Sequence, residues 1–345
     1  MKSRWIASVS WLLLAIASPS SAAADKPLFA SSDQVHIAIQ APLWSLINNR
    51  SNSQLIPGTL TEPNGQSLPI TLGLRGITRR TSDICDFPPL RVSFSSPPPP
   101  TSLFAGQKKL KLVTHCKNSI GFQQYVLLEY AAYRMYNLMT PRSFRVRLAN
   151  VDYRDATGKP IVSRIGYFME ELSDVAHRNG MKVVHAGDRI PTTYLSSPDA
   201  ARYALFQDML GNHDWSMRAG PAGKDCCHNA ELIGLAAPGA TIPVPYDFDF
   251  SGYVGTPYAT PPAELDISDV RQRFYRGYCM HNNDVTAVAG QMRAEQGQIL
   301  GVLSQVPGLD AHSQQRAGSY LQGFFAEIGN NSTFSSRILN HCVRG

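Results

Sequence analysis

Three short strings concentrate the polar chemistry of this chain: "GNHDWS" at residues 211–216, "CCHN" at 226–229 and "PVPYDFDFSG" at 243–252. Phosphoryl transfer needs a carboxylate to orient or deprotonate an attacking hydroxyl, and oxygen ligands for a magnesium ion that bridges nucleotide phosphates. Asp214, Asn229 and Asp247 supply those groups in that order, and Asp249 is a second candidate for the metal. Asp and Asn after a helix are also common turn and capping residues, so it is their joint order, with Asp247 following the strand-like "IPVPY", that points to chemistry.

The elements that must position these residues follow from periodicity. From Gln34 to about Phe94, short apolar alternations such as "LPITLGLRG" and "FPPLRVSF" read as strands. The four prolines at 97–100 cannot sit inside a sheet and mark an exposed connection before the next strand, "KKLKLV" at 108–113, closing a hairpin-like unit. Residues 122–139 place Leu128, Ala131, Ala132, Met135 and Leu138 at helical spacing with no Gly or Pro inside. Two strands, "SFRVRLANVDY" and "RIGYFMEEL", then flank the turn "DATGK" at 155–159. Ser197 can cap a helix with Pro198 in its first position and Asp199 near its positive end, stopping at Gly211. Beyond a loop and strand around 230–256, helices are expected around 264–276, 284–304 and 311–328. Strands, one helix, strands and then mostly helices predict an α+β chain: a β-rich N-terminal lobe with one helix over 25–171, and a mainly helical C-terminal lobe over 172–345.

The N-terminus carries Lys2 and Arg4, then an apolar run from Trp5 to Ile16, then small residues up to Ala24. That order is the pattern of a cleavable secretory signal over residues 1–24, with an apolar core too short to anchor in a bilayer. Export to the periplasm or outside the cell is expected, with no transmembrane anchor after cleavage. Loss of the two basic residues takes the net charge from +6 to +4, mild and unclustered, which argues against nucleic acid as a partner and allows an anionic one such as a nucleotide. Six cysteines in an oxidising compartment imply disulfides. Cys85 and Cys116 flank strands of one β-rich region and are expected to pair; adjacent Cys226 and Cys227 are expected to take different partners, one of them Cys279.

The run "FQDMLGNHDWS", the later "HN" and "PYDFDFSG" resemble the catalytic segments of atypical protein-kinase-like families, chiefly the spore-coat CotH-like kinases and more distantly the HipA-type kinases. Upstream, "LRGITRR" resembles their Arg-Gly turn and "FPPLRVSF" the strand after it, so the resemblance spans roughly residues 70–280. It implies a two-lobed protein-kinase-like fold, and transfer of the ATP γ-phosphate to a hydroxyl acceptor with magnesium or manganese. It implies Asp214 as the catalytic aspartate, Asn229 and Asp247 as metal ligands, and Lys111 as the strand lysine on the phosphates, paired with Glu129 on the next helix. Lys109 competes with Lys111 on the same strand face. Backbone groups at Phe168 to Glu170 would meet an adenine edge. Because no G-x-G-x-x-G occurs, the turn from Arg75 to Arg80 or the metal would hold the phosphates. Asp214 and Asn229 stand fifteen positions apart, which requires an inserted loop bearing two cysteines.

Two other readings share these residues. One is a catalytically inactive kinase-like binding or scaffold protein of the cell envelope. The other is a metallophosphoesterase, in which "GNHD" serves a two-metal site; the partner motifs it needs are only approximated by "DVAH" at 174–177 and "GDRIP" at 187–191.

Overall fold

Period-two alternation builds seven strands that close on themselves. The computed structural model describes residues 26–344 except residue 52, so the expected signal segment lies outside the described residues. The strands are β1 (Val35–Gln40), β2 (Leu55–Thr61), β3 (Ser67–Leu74), β4 (Leu90–Phe94), β5 (Lys109–Val113), β6 (Val146–Arg154) and β7 (Pro160–Met169). Their order is β1-β2-β3-β4-β5-β7-β6, and β6 returns to pair in parallel with β1, Val35 opposite Ala149 and Gln40 opposite Arg154. A sheet closed in this way has no unpaired edge. The interior takes one face of each strand: Ile37 and Ile39, Ile70 and Leu72, Leu90 and Val92, Leu110 and Leu112, Val151 and Tyr153, and Phe168. Helix α1 (Leu43–Asn49) adds Leu43, Leu46 and Ile47 to this core.

The alternate residues of β5, β6 and β7 face a second core. Val113, Val146, Leu148, Tyr167 and Met169 pack with α2 (Ile120–Met139), whose buried residues occupy nearly all of its circumference. That core continues through α3 (Leu172–Arg178), α4 (Ser197–Leu210), α5 (Asn282–Ala294), α6 (Gln296–Gly301), α7 (Ala311–Gly329) and α8 (Asn331–Phe334). A three-stranded sheet, β8 (Lys182–Val183), β9 (Ala230–Gly234) and β10 (Thr241–Pro245), in the order β10-β9-β8, lies among these helices.

The two-lobed kinase-like fold expected from the sequence is not what forms. The strands close into a seven-stranded mixed barrel instead of an open lobe, and the second half is not a helical lobe, because it carries its own sheet. Apolar alternation names the buried face of a strand but not its partner, so the parallel return of β6 onto β1 was not foreseen. Residues 264–276, expected helical, run as turns and extended chain. Tertiary contacts hold them so: the Tyr320 hydroxyl donates to the Arg271 carbonyl at 2.9 Å, and the Arg273 guanidinium stacks 4.1 Å from the Tyr320 ring centroid. Helix α4 starts at Ser197 itself, with Ser196 as its cap residue, and ends at Gly211 in the left-handed conformation, φ 57°.

Cys85 pairs with Cys116, Cα atoms 4.6 Å apart, as expected. The other pairing is corrected: Cys226 bonds to its neighbour Cys227, and Cys279 bonds to Cys342, Cα atoms 4.9 Å apart, where Tyr278 and Val343 form a parallel bridge. Three disulfides fit an oxidising compartment. No helix among the described residues is long and apolar enough to cross a membrane.

Candidate functional site

A hairpin gathers the first two site residues. β9 and β10 pair with Pro245 opposite Ala230, and one step further the Tyr246 N–H donates to the Asn229 carbonyl at 3.2 Å. Asp247 therefore leaves the hairpin end at which Asn229 enters. Both have left-handed backbones, φ 50° at Asn229 and 63° at Asp247, a region uncommon for non-glycine residues but entered most readily by Asn and Asp. Hydrogen bonds hold both turns: the Asp247 N–H donates to the Tyr133 hydroxyl on α2 at 2.9 Å, and the Tyr203 hydroxyl on α4 donates to the Asn229 carbonyl at 3.1 Å.

Asp214 arrives from the end of α4. The Ser216 N–H donates to the His228 carbonyl at 2.9 Å, so residues 217–227 form an excursion that leaves and returns to one point. That bridge cancels the fifteen-position spacing. Asp214 Oδ1 lies 2.7 Å from His228 Nε2, and Asn229 Nδ2 donates to Asp214 Oδ2 at 3.0 Å and to the Asp214 carbonyl at 2.6 Å. The hydrogen bond to Asp214, set against partial burial, raises the His228 pKa above its ordinary value. Asp214 and Asp247 keep side chains 39% and 41% exposed, whereas Asp249 is only 5% exposed. Only the first two can meet an incoming ligand.

Behind Asp247 lies a buried ion cluster centred on Arg79, in the 3₁₀ turn Thr78–Arg80. Its Nη1 donates to Glu129 Oε2 at 2.8 Å, its Nη2 pairs with Asp247 Oδ1, and its Nε lies 3.2 Å from Asp249 Oδ2. Burial opposes the Arg79 cation, but Asp249, Glu129 and Asp247 outweigh it and raise its pKa. Burial, with Asp247 and Glu129 nearby, pushes Asp249 well above the carboxylate range, and Tyr258 holds it with a 2.8 Å hydrogen bond. One guanidinium cannot neutralise three carboxylates, and burial raises the Glu129 pKa as well, so the cluster as a whole favours taking up protons. Oxygens of Glu129, Asp247 and Asp249 lie within 4.8 Å of one another. Arg79 already sits among them, paired with Asp247 as well as with Glu129 and Asp249, so the expected pairing of Glu129 with Lys111 is replaced by one with Arg79.

Lys111 is placed by strand parity. Leu110 and Leu112 point into the barrel, so Lys111 points out, toward Tyr246 and Phe144, its Nζ 5.3 and 5.7 Å from those ring centroids. Burial and then the Arg75 charge lower its pKa to about 8, with Glu231, Glu171 and Asp247 acting the other way. Arg75, also pulled down by burial, feels Asp247 and Glu171. The two cations thus share a half-buried wall beside Asp247. Lys109, the competitor, is 60% exposed and bridges to Glu171 at 3.5 Å. Glu170 is engaged within the fold: its N–H donates to the Arg145 carbonyl, and its buried carboxylate takes Arg178 Nε at 3.0 Å. His213 also stands apart, its Nε2 against the Gln272 carbonyl at 2.8 Å and its Nδ1 buried, so the ring offers no exposed nitrogen beside Asp214 for a two-metal site.

Arg79, His228 and Tyr133 are the residues of the candidate site that sequence reasoning missed. Arg79 lay inside the "LRGITRR" turn and His228 inside "CCHN", but neither string says which carboxylate each one meets. No family model matches the chain, and no curated protein matches it.

Proposed function

We propose that this protein is an ATP-dependent phosphotransferase that moves the γ-phosphate to a hydroxyl acceptor with magnesium or manganese. The observation that carries this reading is the meeting of two half-exposed carboxylates, Asp214 and Asp247, at the Asn229 hairpin end, beside the cations Lys111 and Arg75. The barrel does not argue against it, because chemistry resides in the site and not in the fold class.

The donor set fits a hard divalent cation. Asp247 contributes a carboxylate oxygen, and Asn229, whose Nδ2 is committed to Asp214, has its Oδ1 to offer. When bound, such an ion would screen phosphate charge. Lys111 and Arg75 supply the remaining positive charge for phosphate oxygens. Asp214 is half-exposed and held on both oxygens, so it is placed to accept the proton of an acceptor hydroxyl, with His228 fixing its orientation.

Transfer from γ-labelled ATP to the protein or to a generic hydroxyl acceptor is the test, with magnesium or manganese. The wild type is expected to transfer, and Asp247→Ala to abolish transfer. Binding of ATP with no transfer by the wild type would make the chain a nucleotide-binding envelope protein instead. Transfer that survives Asp247→Ala would overturn the metal site.

A further inference from the structure

Asp208 lies in the last turn of α4, 3% exposed, and neither of its carboxylate oxygens has a hydrogen-bond partner. It lines a cavity of about 350 Å³. Around it stand Asp266, Arg273 and Tyr275 from the extended 264–276 segment, Glu327 from α7, and Arg337 and His341 from the C-terminal segment. None of these holds Asp214, Asn229 or Asp247 in place.

A carboxylate out of water without a donor is unfavourable when charged. Arg273, the cation that acts most strongly on Asp208, has its Nη1 3.4 Å from Glu327, its Nη2 donating to the Tyr320 carbonyl and its plane stacked on the Tyr320 ring, while its Nε is buried without a partner. The Tyr275 hydroxyl is likewise buried without a partner. Burial pushes the Asp208 pKa up to about 7, Glu327 adding to it, and Arg273 and Arg337 opposing. Among the described residues, the acids of this cavity do not converge on one point as Glu129, Asp247 and Asp249 do, so a divalent metal is poorly served. An ammonium group carries three donors and needs only one charged acceptor.

We propose that this cavity is a second ligand site, for a small molecule bearing a primary ammonium group, with Asp208 as its ion-pair partner. Arg337, at the exposed side, meets the carboxylate of such a ligand if it has one. The amine comes from one of two sources, a simple alkylamine or an α-amino acid.

Calorimetric titration of the oxidised mature protein with pentylamine and with L-norleucine, its α-carboxylated counterpart, tests the proposal. Both probes stay cationic at pH 6 and pH 8, whereas the Asp208 carboxylate is ionised about tenfold more at pH 8. The expected result is binding of at least one probe, about tenfold tighter at pH 8 than at pH 6, and weakened at least tenfold by Asp208→Asn. Tighter binding of norleucine, lost in Arg337→Ala, identifies the amino acid; equal binding identifies the simple amine. Absence of binding for both probes at millimolar concentration overturns the site. So does wild-type affinity that is flat between the two pH values, a reading that does not depend on any variant folding.

Discussion

At the scale of single residues, the site divides into groups left free for a ligand and groups locked behind them. Lys111 belongs to the first set, and its pKa of about 8 makes a directional prediction. A lysine with a lowered pKa loses its charge as pH rises through that value, so nucleotide affinity should fall about tenfold from pH 7 to pH 9. Lys111→Arg should hold its affinity at pH 9, and Lys111→Met should lose about 10–100-fold at pH 7, both measured by titration with ATP. A flat pH profile in the wild type would remove Lys111 from the phosphates. Arg79 belongs to the locked set. Arg79→Met strands Glu129 and Asp249 in the interior and should cost about 3–5 kcal/mol in denaturant unfolding. A loss below ~1 kcal/mol would show that protons on the carboxylates already balance the cluster. The gathering of Asp214, Asn229 and Asp247 near one hairpin end was legible in sequence from their types and order. The partner of Glu129 was not, because a buried carboxylate accepts any cation the fold brings, and Arg79 is fifty positions away in sequence.

At the scale of elements, local pattern was a good guide wherever an element is stabilised by its own neighbours. Helix α2 spans Ile120–Met139 against an expected 122–139, and the β4–β5 and β6–β7 hairpins form around the proline run and the "DATGK" turn. Leu138 is the exception on α2, 43% exposed despite its helical spacing. Residues 264–276 misled for the opposite reason: their helical pattern is overridden by Tyr320 and the buried stem of Arg273. The C-terminal segment is likewise held by distant partners, the Cys279–Cys342 disulfide beside the Tyr278–Val343 bridge. Cys279 and Cys342 close a loop of 63 residues, so Cys279→Ser with Cys342→Ser should lower stability by roughly 4 kcal/mol. Cys226→Ser with Cys227→Ser closes no loop and should cost far less. Guanidinium unfolding of both double variants separates the cases, and equal losses would refute the ranking.

At the scale of the whole molecule, the barrel is not an independent unit. The outward faces of β6 and β7 and nearly all of α2 belong to the core shared with α4, α5 and α7. Heating the oxidised protein should therefore give one calorimetric transition that coincides with loss of near-ultraviolet dichroism, and Leu128→Ala on α2 should shift it as a whole, at a cost of about 2–5 kcal/mol. Two resolved transitions would show that the barrel unfolds separately. Closure of the barrel was the least legible feature, since nothing local in β1 points to β6.

The parallel pairing of β1 with β6 also fixes an order of events during synthesis. A ribosome delivers β1 and β2 early, but Ala149, the partner of Val35, only after all of β3 to β5 and α2. At ~5–20 residues per second, one side of β1 waits on the order of ten seconds with its backbone donors and acceptors open. A nascent chain is thus an incomplete ring with a sticky seam, and whatever accompanies it through that interval must shield the seam. A chain cut short before residue 146 never closes it, and is expected to aggregate through β1.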